Sequence, residues 1–307
     1  MGKTALLFPG QGAQSVGMGA DLYEASPRAR ELFDLADRLL GFKLSAICFE
    51  GPEERLNATD VSQPAIFVTS VALAECFAAG AGRDVKADAA AGLSLGEYTA
   101  LWAAGALSFE DGVRLTRRRG ELMQAAADAN PSTMVSIMGL DEGQVKNICE
   151  AASALGIISP ANFNCPGQIV VSGTKGACAK ALTLAEEAGG RAVELKVAGA
   201  FHSQLMASAA EGLACELGAI ALGDLRVPVV ANVTADYYGS SADIQPMLVR
   251  QLTGSILWQK SMERLLADGF DTFYEIGPGR VLRGLMKKID RGAAVTGVNG
   301  AAETGAC

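Results

Sequence analysis

Short apolar runs alternate with amphipathic stretches along this chain, with turn-forming residues at the joins, a pattern that predicts an α/β fold with a mainly parallel sheet. The run Met1 to Phe8, closed by Pro9-Gly10, reads as the first strand. Ala65 to Ala79 predicts a helix entered through Pro64 at its first turn, and Phe109 to Ala127 a second one capped by Ser108 with Asp111 three residues on. After Asn130-Pro131 the periodicity gives strand (134–139), helix (141–153), strand (157–162), strand (168–172), helix (177–188) and strand (192–197). That order is the split βαβ, or ferredoxin-like, β-α-β-β-α-β unit. We therefore expect a ferredoxin-like subdomain over 132–197, inserted between two halves, 1–131 and 198–291, of a larger α/β domain. Residues 292–307 are rich in Gly and Ala and predict a flexible tail.

With 307 residues, half of them apolar and a fifth charged, the chain can bury one full core and a second, smaller one. Its formal net charge of −8 argues against nucleic acid as a partner, because phosphate binding needs clustered surplus Lys and Arg. The amino-terminal apolar run is too short for a signal-peptide core, and no later stretch runs apolar for the ~18 residues of a membrane span. The seven cysteines are an odd number without Cys-x-x-Cys spacing, which reads as reduced thiols in the cytoplasm. One histidine in the whole chain leaves little for a metal site.

Gly92-Leu93-Ser94-Leu95-Gly96 fits the nucleophile elbow Gly-x-Ser-x-Gly, in which small residues flank a serine on a tight strand-to-helix turn. The frame fits as well, since 89–91 can end a buried strand and 95–103 can form a helix. At this point a chance loop in a Gly- and Ala-rich chain remains the competing reading. A serine hydroxyl needs a base, and any histidine base must be His202. Taken alone, His202 fits a structural role as well as a catalytic one. It follows the last predicted strand of the insertion, and open α/β sheets place their chemistry at such strand ends.

Four blocks, Phe8-Pro9-Gly10-Gln11-Gly12-Ala13-Gln14, Gly92 to Tyr98, Gly199-Ala200-Phe201-His202-Ser203 and Glu275-Ile276-Gly277-Pro278-Gly279, lie in this order along the chain. Together they resemble the malonyl-CoA:acyl carrier protein transacylases, over about residues 4 to 290. The resemblance implies an α/β-hydrolase-like larger domain and a ping-pong reaction. Ser94 takes malonyl from malonyl-CoA as a covalent ester, His202 relays the proton, and the phosphopantetheine thiol of acyl carrier protein receives the acyl group for fatty acid synthesis. It also implies that the backbone N–H groups of Gln11 and Leu95 form the oxyanion hole, and that the backbone carbonyl of Gln251 orients His202. No cofactor is implied beyond the coenzyme A thioester itself. Leu93 departs from the family, which often has His before the nucleophile.

A malonyl-selective site needs a cation for the substrate carboxylate, and Arg binds carboxylates with a two-pronged fork. Of Arg117, Arg118 and Arg119, only Arg119 shares the helical apolar stripe of Leu115, Leu122 and Ala126, while Arg117 points away and Arg118 is at the border. A run of three arginines otherwise reads as a solvated face. Arg119-Gly120-Glu121-Leu122-Met123 also matches the family's Arg-Gly-x-Leu-Met, whose Arg binds malonyl. By the same resemblance Phe201 leaves little room for an α-methyl branch. The basic segment Arg280 to Arg291 is the candidate surface for an acidic carrier protein. Rival readings are a thioesterase or esterase with the same Ser-His pair, and an acyltransferase-like docking module, which would not need both Ser94 and His202. Oligomeric state is left open, with a monomer sufficient.

Overall fold

The computed structural model describes residues 2–305. Met1, read into the first strand, and Ala306 and Cys307, read into the tail, lie outside the described residues. Five strands, β1 (Lys3–Phe8), β2 (Ala89–Gly92), β7 (Val229–Val230), β8 (Phe270–Ile276) and β9 (Ala294–Val298), form an all-parallel sheet in the order β7-β2-β1-β8-β9. Parallel sheets are covered on both faces, and β1 has both kinds of neighbour. Ala5 and Leu7 pack with Trp258 and Phe273 on one side, while Phe8 joins the larger cluster with Phe33 and Phe67 on the other.

Four helices, α1 (Ala20–Ala25), α2 (Pro27–Leu40), α3 (Leu44–Glu50) and α4 (Glu53–Asn57), lead to the long core helix α5 (Thr59–Ala79). By length and composition α5 could cross a membrane, contrary to the reading of the sequence, yet most of it is buried inside the protein. It also begins earlier than predicted, so Pro64 lies inside it rather than in its first turn. Proline has no N–H to give the carbonyl four residues back. Here Arg117 Nη1, on the facing helix α7 (Phe109–Ala129), donates to that carbonyl of Asp60 at 2.8 Å in its place. Between α5 and α7 runs α6 (Gly96–Ala103). The Ser108 cap of α7 is as expected, its hydroxyl accepting the Asp111 N–H at 3.1 Å.

The second sheet is wholly antiparallel, with β3 (Ser132–Met138), β4 (Ile158–Cys165), β5 (Gln168–Thr174) and β6 (Arg191–Glu194) in the order β4-β5-β3-β6. Helices α8 (Glu142–Ala152) and α9 (Lys175–Glu187) cover one face, where Val135, Ile137 and Val171 meet Val145, Ile148 and Ala181. Strand side chains alternate, so Met134 and Val170 turn the other way and join the large cluster. All six elements fall inside the 132–197 stretch. Backbone bonds from Phe163 N to Ile256 O (2.9 Å) and Ile256 N to Ala161 O (2.7 Å) tie this sheet to the parallel-sheet layer. That layer also carries α10 (Ala207–Gly218), α11 (Ile244–Thr253), α12 (Trp258–Ala267) and α13 (Val281–Ile289).

One expectation is corrected. Residues 292–307 do not form a flexible tail over their described part: β9 pairs with β8 from Thr272 to Ile276, and α14 (Ala301–Thr304) follows it. Composition misled because backbone groups supply the ladder, and an edge strand needs few large side chains. Val298 is fully buried, and Asp21 Oδ2 accepts the Ala301 N–H at 2.7 Å, holding α14 against the body.

Candidate active site

Ser94 sits on the turn between β2 and α6 with φ of +51°, a left-handed backbone that non-glycine residues rarely adopt. The flanking glycines are required by backbone proximity. A Cβ on Gly92 would stand 1.9 Å from the Gly96 carbonyl carbon, and one on Gly96 would stand 2.1 Å from the Phe8 carbonyl oxygen. The turn is thus pressed against its own first helical residue and against β1. Asn232, in the loop after β7, holds it from the other side. Its Oδ1 accepts the Ser94 N–H at 2.7 Å, and its Nδ2 donates to the Gly92 carbonyl at 2.7 Å.

His202 reaches this turn from the loop between β6 and α10, likewise with positive φ (+59°). Its Nε2 is 2.7 Å from Ser94 Oγ, and its Nδ1 is 2.7 Å from the backbone carbonyl of Gln251 on α11. A carbonyl only accepts, so Nδ1 carries the proton and the Nε2 lone pair faces the serine hydroxyl. Burial, followed by the positive charge of Arg119, pushes the imidazole down to about 3, so it is a neutral acceptor at neutral pH.

Arg119, on α7, is 1 % exposed and has no ion-pair partner among the described residues. Nη1 donates to Gln63 Oε1 (2.7 Å), and Nη2 to Gln251 Oε1 (2.9 Å) and Ser94 Oγ (3.2 Å). Its guanidinium lies 5.4 Å from the ring centre of Tyr98, and its Nε meets no hydrogen-bond partner among the described residues. Burial lowers its pKa. A buried, incompletely bonded cation 3.2 Å from a serine hydroxyl can take an anionic group brought to that serine.

The backbone N–H groups of Gln11 and Leu95 have no acceptor among the described residues, as free donors for an oxyanion must be. Phe201 is buried, next to His202, in the large apolar cluster. Leu93, where the family often has His, packs against the apolar cluster of Ala91 and Trp258 and adds no polar contact. Arg117 is not a solvated arginine, since it pairs with Asp60 (2.6 Å) and Glu121 (2.7 Å) and stacks on Phe42. Arg118 bridges Glu121 and Glu216 at the surface.

Sequence reasoning missed Glu97, Asn232 and Gln63, and it gave Gln251 a backbone role only. Glu97 carried a signal, an acid one turn after the nucleophile in the apolar helix Gly-Glu-Tyr-Thr-Ala-Leu-Trp-Ala. Asn232 carried none, since an Asn in a loop is ordinary turn chemistry.

The acyl transferase domain family matches residues 5–298. The malonyl CoA-acyl carrier protein transacylase of Bacillus subtilis (strain 168) is 47 % identical over 293 residues, 95 % of this chain and 92 % of that protein. The Escherichia coli (strain K12) protein of the same name is 43 % identical over 94 % of this chain and 93 % of its own length. Among solved structures, the malonyl CoA-acyl carrier protein transacylase of Clostridium perfringens superposes with a TM-score of 0.92 at 39 % identity, covering 98 % of this chain and 94 % of that one. A malonyl-transacylase in complex with its type II PKS acyl-carrier protein gives 0.93 at 39 % identity, covering 98 % and 97 %. On this full-length likeness the chain belongs to the acyl transferase domain family, and within it to the malonyl CoA-acyl carrier protein transacylases.

Proposed function

We propose that Ser94 and His202 are the working pair with which this enzyme moves malonyl from malonyl-CoA to the phosphopantetheine thiol of acyl carrier protein. The observation that carries the assignment is the 2.7 Å contact from Ser94 Oγ to an imidazole whose other nitrogen is pinned by the Gln251 carbonyl. Ser94 Oγ attacks the thioester carbonyl as its proton passes to His202 Nε2. The carbonyl oxygen, now anionic, takes the free N–H groups of Gln11 and Leu95, donors worth about 3 to 4 kcal/mol each in comparable sites. The C–S bond breaks, and the coenzyme A sulfur leaves with the proton from Nε2. In the second half the carrier thiol gives its proton to Nε2 and attacks the ester, and Ser94 Oγ departs with that proton. Arg119 pairs with the malonyl carboxylate in both halves, and Phe201 narrows the space beside the α-carbon. Coenzyme A enters only as a substrate thioester, and the reaction as written needs no further cofactor. We assign the enzyme to the cytoplasm, supported by six described cysteines that are all free.

The test is the intact mass after incubation with malonyl-CoA. One malonyl should be added to the wild type and none to Ser94→Ala. His202→Ala should slow labelling by several orders of magnitude, since paired groups in a serine hydrolase lose roughly 10⁶-fold. Labelling that survives Ser94→Ala would falsify the assignment.

A further inference from the structure

Glu97 lies on α6 one turn after Ser94 and is 1 % exposed. Its two oxygens receive three donors. The Tyr238 hydroxyl and the Asn232 N–H (3.2 Å) go to Oε1, and Gln251 Nε2 goes to Oε2. An ionised carboxylate only accepts, so it dictates which end of the Gln251 amide faces it. With Nε2 held toward Glu97, the same nitrogen reaches the Ser94 carbonyl at 2.9 Å, and Oε1 is left to take Arg119 Nη2 at 2.9 Å. The backbone carbonyl of that Gln251 anchors His202, and the Asn232 held by Glu97 takes the Ser94 N–H. Two amide residues therefore touch both peptide groups of the nucleophile, its base and the buried cation, and one carboxylate orients both.

We propose that Glu97 is a positioning residue for the transfer, its acceptor-only carboxylate fixing Gln251 and Asn232 and through them Ser94, His202 and Arg119. This rests on the Ser94–His202 reading above and deepens it. Glutamine at position 97 presents an NH2 to the Gln251 NH2. One of the two amides must then turn over, and if it is Gln251, its Nε2 faces Arg119. Ionisation matters for the same reason. Burial pushes the Glu97 carboxyl up to about 7, against the opposing pull of Tyr238, Gln251, the Asn232 N–H and Arg119. The other titratable groups packed around it do not change charge near neutrality, since Tyr238 and Tyr98 are raised above the ordinary tyrosine value and His202 is lowered to about 3. Protonating Glu97 replaces an acceptor with a donor and loosens the same network.

The experiment is the second-order rate constant of Ser94 malonylation by malonyl-CoA, followed by mass from pH 5 to 8. In the wild type it should fall as pH drops through about 7, a free-enzyme ionisation. Glu97→Gln should lower it at pH 8 by roughly 10- to 100-fold, the loss usual for a hydrogen-bond partner that orients a working group, and should abolish the acid limb. A Glu97→Gln enzyme at the wild-type rate, or one keeping the wild-type acid limb, overturns the proposal. If that variant does not fold, Tyr238→Phe decides. Losing a donor to the carboxylate should move the acid limb to higher pH, and an unmoved limb overturns the proposal equally. A wild type that never acquires malonyl on Ser94 would instead sink the catalytic assignment and leave this network a matter of folding.

Discussion

Two arginines on different faces of α7, only two residues apart, are bonded in opposite ways. Arg117 is satisfied, with carboxylates of Asp60 and Glu121, the Asp60 carbonyl and the Phe42 ring around it. Arg119 is more deeply buried and has only neutral oxygens and one unbonded nitrogen. Burying a cation with no carboxylate in direct contact is costly, and the Glu97 carboxylate reaches Arg119 only across the Gln251 amide, so the guanidinium beside Ser94 is left incompletely compensated. On the proposed reading a malonyl carboxylate completes that compensation, and acetyl, which has no carboxylate, does not. The same charge also weakens the base, because Arg119 helps depress the His202 imidazole. If Arg119 pairs with malonyl as proposed, that depression of the imidazole is relieved on acyl binding.

That contrast is broken most severely at Arg119. Removing one partner of a buried charge pair costs about 3 to 5 kcal/mol, so Arg119→Ala should lower malonyl transfer by roughly two to three orders of magnitude or more. Acetyl transfer should hold steady or rise, so the ratio of the two kcat/KM values should collapse or invert. A retained malonyl preference would make Arg119 a structural arginine. The contrast extends to α13 and its flanks, where Arg280, Arg283, Lys287, Lys288 and Arg291 form no ion pair among the described residues. Lys288 instead donates to Gln168 at the tip of the β4–β5 hairpin. Reversing Lys287 and Lys288 to Glu should raise the KM for the acidic carrier by roughly tenfold through lost electrostatic steering, with self-malonylation unchanged. An unaltered carrier KM would remove this face from the docking surface. The smallest effect belongs to the satisfied arginine. Arg117→Ala should leave the malonyl-to-acetyl ratio intact and cost about 1 to 3 kcal/mol, since it strips the Asp60 carbonyl of its donor, read as a melting temperature lower by a few degrees. A shifted ratio would show that the two faces of α7 are not independent.

What the sequence made legible follows from how local each feature is. The elbow at Gly92–Gly96, the Ser108 cap and the four strands and two helices of 132–194 are each written within a few consecutive residues, in glycine spacing, capping chemistry and hydrophobic period. The inward direction of Arg119 could be read from a single helical stripe. Glu97, Asn232 and Gln63 could not be assigned, because their roles exist only where α5, α6, α11 and the loop after β7 meet. The Pro64 position failed for a similar reason, since a helix with an interior proline needs its orphaned carbonyl satisfied by another element, here Arg117. The tail failed because strand pairing is a backbone property that Gly and Ala content does not report.

The parallel sheet has one further consequence, for the order in which the protein acquires its shape. Its central pairing joins β1 to β8, with Leu7 opposite Glu275, so almost the whole chain must be looped before that ladder can close. The antiparallel sheet closes loops only within 132–194. Loop-closure entropy and contact order both favour the second sheet forming first. The elbow leans on β1, and His202 is held from α11, so the elements that bring Ser94 and His202 together lie outside the antiparallel sheet. On the proposed reading, a chain in which only the antiparallel sheet has formed lacks the Ser94–His202 contact, and should take up no malonyl.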